Sequence, residues 1–76
     1  MKIPVNVIGT ILNSEKIAHR VKVVNDVGDT GGFYIFEWWD ESDGPNEHRA
    51  FDSWVESQND LRQFFAQSGW QIDWSA

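Results

Sequence analysis

The chain has no cysteine and only two histidines, His19 and His48, among its 76 residues. A disulfide framework, a thiolate nucleophile and a cysteine-ligated zinc site are therefore excluded, and the composition accords with a reducing compartment. The two histidines stand far apart, and neither has a second ligand type at i, i+4 on a helix, so no metal site and no cofactor are expected. Long apolar runs are missing too. No stretch approaches the roughly 18 residues that a membrane-crossing helix requires. Polar residues and Pro4 interrupt residues 1–9 before they reach signal-sequence length. The expectation is a soluble, cytoplasmic protein without a membrane partner. Basic residues are scarce, six Lys and Arg against twelve Asp and Glu, for a net charge of -6. That field repels nucleic acid unless the bases cluster, and Lys2, Lys16, Arg20, Lys22, Arg49 and Arg62 are mostly scattered along the chain.

Apolar material is plentiful by contrast. At 41% hydrophobic and 14% aromatic, the chain lacks the composition of a disordered segment despite its charge. Its length suits a single domain over residues 1–76. Without disulfides or metal, packing must supply the stability. Five Trp, five Phe and one Tyr provide the means, since each large ring buries roughly 150 to 250 Å².

Hydrophobic periodicity outlines an α+β fold. Ile3, Val5, Val7 and Ile11 alternate with polar positions across residues 2–12, which predicts a first strand. Ile17, Val21, Val23 and Val27 do the same across 17–27, after a polar break at 13–16. If both sets face one core, opposed residues share parity and the connecting loop holds an odd number of residues, three or five around Ser14 to Lys16. Gly28, Gly31 and Gly32 precede a strand rather than a helix, so they read as a turn and not as a phosphate cradle. The third strand, residues 33–39, is apolar on both sides. Parity sends Phe33, Ile35 and Trp39 inward and Glu37 with them, an assignment that a core resists. The alternatives are a register that buries Tyr34, Phe36 and Trp38, or a second apolar face that needs a cover. Residues 51–56 form a short fourth strand.

Ser57 begins the one convincing helix, with Asp60 three residues on in the capping-box position. Leu61, Phe64 and Phe65 make its apolar stripe, and Gly69 ends it. Trp70, Ile72 and Trp74 then alternate as a last strand. The predicted order is β-β-β-(β)-α-β: a small, mostly antiparallel sheet with one amphipathic helix packed on one face. A helix of about ten residues spans about 15 Å, which covers one face and leaves the other bare.

No catalytic group assembles from these patterns. His48 beside Glu47 lacks a nucleophile, and His19 shares the apolar parity of its strand, which predicts a partly buried, hydrogen-bonded imidazole. Residues 40–44 are rich in acids, but aligning Gly44 with the sixth position of an EF-hand loop puts Trp39 first and Ala50 twelfth, so that calcium pattern fails. What remains is a surface. Asp40, Glu41, Asp43 and Glu47 concentrate negative charge beside Trp38 and Trp39, a charged rim around aromatic anchors. The same acids also serve as a solvated loop. Tyr34 and Phe36 mark a face for self-association. The sequence thus predicts a non-enzymatic protein-interaction module that binds a basic protein partner, with a homo-oligomer formed through the aromatic sheet face as the alternative. Single-stranded nucleic acid is the weaker third reading, because stacking sheets need flanking cations. In being small, acidic, rich in Trp and free of Cys, the chain resembles bacterial immunity and inhibitor proteins in composition.

Overall fold

The computed structural model describes residues 3–42, 44 and 50–74. Five strands and one helix follow in the order β1 (Ile8–Ile11), β2 (Arg20–Asp26), β3 (Gly32–Trp38), β4 (Phe51–Val55), α1 (Gln58–Ser68) and β5 (Ile72–Asp73). The strands form one antiparallel sheet ordered β4-β3-β2-β1-β5. The α+β class and the single helix packed on one face are those that the periodicity predicts.

Parity does much of the work. Thr10 pairs with Arg20 and Ile8 with Lys22, while Val23 pairs with Ile35 and Val21 with Glu37. Odd positions therefore share the helix side across β1, β2, β3 and β4. Ile11, Val21, Val23, Phe33 and Ile35 are buried there with Leu61 and Phe65 of α1. Val21 and Val23 are wholly inaccessible and Ile35 is 2% exposed, so the centre of β2 and β3 is the centre of the core. The helix begins and ends as its sequence directs. The Ser57 side chain accepts the Asp60 N–H at 3.1 Å, and Gly69 closes the helix in the left-handed conformation at φ 71°. Residues of this type satisfy the free N–H groups at the start and adopt positive φ at the end at little cost.

The first two strands are shorter than their alternation implies. β1 starts only at Ile8, because Asn6 adopts φ 59° and turns the chain out of extended geometry while its N–H reaches the Val23 carbonyl at 2.7 Å. Ile17 and Val27, assigned to the core by alternation, are 74% and 52% exposed. Each lies beyond the end of β2, where turn geometry rather than the pleat aims the side chain. The first loop is seven residues, 12–18, rather than three or five, since the last ladder bond joins the Ile11 N–H to the His19 carbonyl. Its odd length preserves the expected register. β5 crosses over to pair with β1. Gly9 permits that crossing, because a Cβ there would meet the Ile72 and Trp74 side chains at 2.5 to 2.8 Å.

Candidate functional site

Among the described residues, no helix lies over the side of the sheet away from α1. Its residues are set by the register. Lys22 lies between Ile8 and Phe36, and Phe36 is opposite Asp52. Arg20 lies between Thr10 and Trp38. Val24 is opposite Tyr34, and Tyr34 is opposite Trp54. Tyr34 and Phe36 stack along β3 with centroids 5.7 Å apart and planes 20° from parallel. Trp54 is 44% exposed and Ile8 41%. The Trp54 indole N–H donates to Thr30 Oγ1 at 2.9 Å, so that ring is oriented and its one polar atom is occupied. Among the described residues, the His19–Glu37 contact is the one ion pair, and Arg20, Lys22 and Asp52 stand unpaired. The sequence spacing finds the aromatic stripe of this face. The bracketing of Phe36 by a cation on β2 and a carboxylate on β4 requires the pairing register.

Consecutive residues of a strand point to opposite sides, and this divides the two tryptophans proposed as joint anchors. Trp38 belongs to the helix-free face beside Arg20. The Trp39 ring goes to the helix side, stacked on Phe51 at 5.1 Å and edge-on to His19 at 5.3 Å. Lys16 Nζ lies 4.8 Å above it, within cation–π range. Trp39 also lines a shallow groove of about 500 Å³ with Lys16, Ile17, Asp40 and Glu41. Asp40 and Glu41 are exposed at its margin. The Asp40 N–H donates to the Ile17 carbonyl at 2.8 Å, which fixes one acid of the rim to the first loop. Asp43 and Glu47 lie outside the described residues, as does His48. No group of three or more His, Asp or Glu among the described residues is arranged to hold a metal ion.

A polar array at the end of the core was not assembled from the sequence. His19, 5% exposed, places Nδ1 2.7 Å from Ser14 Oγ and Nε2 2.7 Å from Glu37 Oε2. The Ser14 oxygen also accepts the Lys16 N–H at 3.0 Å. Trp39 and Trp70 present ring edges to the imidazole at 5.3 and 5.8 Å. Ala18, immediately before the histidine, holds the left-handed φ of 55°. That conformation costs a non-glycine residue about 1 kcal/mol, and it lies where the chain turns from the loop into β2. Glu37 thus sits on the core side, as parity requires, because the buried imidazole donates a hydrogen bond to its carboxylate. The signal was present in outline: His19 and Glu37 share parity, and the observed pairing makes them diagonal neighbours across β2 and β3. Ser14 lies in an irregular loop and left none.

Chemically, a neutral imidazole donates Nε2–H to Glu37 and accepts the Ser14 O–H at Nδ1. A protonated one donates from both nitrogens, and the hydroxyl turns from donor to acceptor. Both forms are fully hydrogen-bonded. Serine, imidazole and carboxylate in sequence is also the order of an activated nucleophile, here with the ring nitrogens exchanged relative to the serine-protease arrangement. The structure shows it tying the first loop to β3 beneath two indoles. Every buried side-chain polar atom among the described residues has a partner. No protein-family model, no curated protein and no solved structure matches the chain.

Proposed function

We propose that the chain is a non-enzymatic protein-interaction module that associates with a second copy of itself through the helix-free face of its sheet. The observation that carries this reading is the content of that face: Tyr34, Phe36, Trp38 and Trp54 lie together with unpaired Lys22 and Asp52 on opposite flanks of one aromatic strand. Contiguous exposed apolar surface on a small protein marks a contact site. Aromatic rings are the side chains that dominate binding energy. Among the described residues, the strands present two cations on this face, Arg20 and Lys22, against three carboxylates, Asp26, Asp52 and Asp73. A polyanion finds little attraction there, and a surface bearing both signs has the self-complementarity that a two-fold dimer needs. The absence of cysteine accords with a cytoplasmic setting for this role.

Light scattering over a concentration series tests the reading. The expected result is a mean mass that rises from monomer toward dimer between about 1 and 200 μM, with Phe36→Thr holding the mass at monomer throughout. A wild-type mass that stays at monomer would remove the reading.

The second reading is a basic protein partner docked at the Asp40 and Glu41 rim. It is favoured by one observation, the exposure of both acids beside the groove that Trp39 and Ile17 line. Rim charges act mainly on encounter rates. Asp40→Lys with Glu41→Lys is therefore expected to slow association with a basic partner recovered at low salt, and an unchanged rate would exclude this site.

A further inference from the structure

Two antiparallel sheets that pack aligned, face to face, across a two-fold axis have that axis lying between them, directed close to the strands or across them. We infer that the axis of the self-association proposed above runs along β3, so that Lys22 of each copy faces the partner's Asp52. The inference rests on that association reading and adds the orientation of the second copy.

The argument comes from the columns of the sheet. Arg20 and Lys22 occupy β2 with Asp26 at its far end, the aromatic stripe occupies β3, and Asp52 occupies β4. An axis directed across the strands sets β2 on β2 and β4 on β4. Through the Phe36 row it faces Lys22 with Lys22 and Asp52 with Asp52. Between the Phe36 and Tyr34 rows it pairs Arg20 with Asp26 but faces Lys22 with Val24 and Asp52 with Trp54, which leaves both of those charges without a partner. An axis along β2 also brings Lys22 onto Lys22. An axis along β3 instead lays the partner's β4 over β2 and leaves each row at its own level. In the row Asp52, Phe36, Lys22, the two Phe36 rings then meet and two Lys–Asp pairs close around them. In the row Trp54, Tyr34, Val24, the partner's Trp54 comes over Val24, a large ring over a small side chain. Packed sheets lie about 10 Å apart with strand directions within about 30°, a gap that a lysine and an aspartate from opposite sides together bridge. Like charges brought together at an interface are costly, and opposite ones set register. Of these arrangements, the axis along β3 is the one that gives both Lys22 and Asp52 an opposite charge.

Charge reversal with exchange is the test, read by sedimentation or light scattering at about 50 mM salt, where exposed charges are least screened. Lys22→Asp alone and Asp52→Lys alone are each expected to weaken self-association about tenfold or more, since each converts two attractive pairs into two repulsive ones. The double variant Lys22→Asp with Asp52→Lys restores opposite pairs and is expected to return within about threefold of wild type. Far-UV circular dichroism checks that each variant folds. A wild-type chain that is monomeric at every concentration removes the association itself. A wild-type dimer indifferent to both single reversals keeps the association and overturns the axis. Single reversals that weaken while the double fails to recover show that the two residues do not face one another, and also overturn it. Wild-type binding of a labelled single-stranded oligonucleotide, lost in Phe36→Thr, would assign the face to nucleic acid instead.

Discussion

The two faces of this sheet are made from the same strands by the same alternation, yet they end in different environments. On one side Val21, Val23 and Ile35 are almost completely buried beneath Leu61 and Phe65. On the other, their chain neighbours Lys22, Val24, Tyr34 and Phe36 remain partly exposed. On the covered face β2 and β3 supply mainly aliphatic side chains, and rings from α1 and the chain after it, Phe64, Phe65, Trp70 and Trp74, pack edge to face over them. The bare face uses large rings that shelter one another, as Tyr34 and Phe36 do by stacking. Alternation assigns a residue to a face; a cover decides what that face becomes. An eleven-residue helix, about 16 Å long at 1.5 Å per residue, covers one side only.

The largest effect that would sharpen this contrast comes from Ile35→Ala against Phe36→Thr, adjacent residues on opposite faces. Deleting most of a fully buried isoleucine is expected to cost about 2 to 5 kcal/mol. Phe36→Thr, in a strand that tolerates a β-branched residue, is expected to cost about 1 kcal/mol or less in the monomer. Urea unfolding at low protein concentration measures both, and equal losses would show that the bare face is as much core as the covered one. Next in size is the polar end of the covered face. Glu37→Ala leaves the buried His19 Nε2 without its partner and is expected to cost about 2 to 3 kcal/mol, whereas Glu37→Gln keeps an acceptor there and loses about half as much. A double cycle with Ser14→Ala reads whether the three groups act as a unit; strictly additive losses would dissolve the array into separate contacts. The smallest effect lies at the start of the cover itself. Ser57→Ala removes the cap on α1 and is expected to cost about 1 kcal/mol. Thermal unfolding checks this, and an unchanged midpoint would mean that packing alone holds the first turn.

Much of the fold was legible because its signals are local. Alternation marked the strands, Ser57 and Gly69 marked the helix ends, and odd loop parity carried the register through the first hairpin. Failures occurred where local pattern outruns local geometry. Ile17 and Val27 continue the alternation past the strand ends, where the backbone no longer keeps the pleat, and Asn6 ends a run whose side chains still alternate. The site was legible in pieces. Tyr34 and Phe36 were recognised as a face, and Glu37 as an anomaly. Trp38 and Trp39 were read together as neighbours in the chain, although one pleat sends them to opposite sides.

By itself the sequence determined the elements and the class, because these depend on period, caps and turn residues within short windows. It also determined that packing must hold the chain together, since no cysteine is present to cross-link it. Which side the helix covers, that Glu37 meets His19 and Ser14, and that Lys22 and Asp52 flank Phe36 were decided only in the tertiary structure. Each depends on residues far apart in the chain, such as His19 and Glu37 or Lys22 and Asp52, that become neighbours only once strand order and register are set.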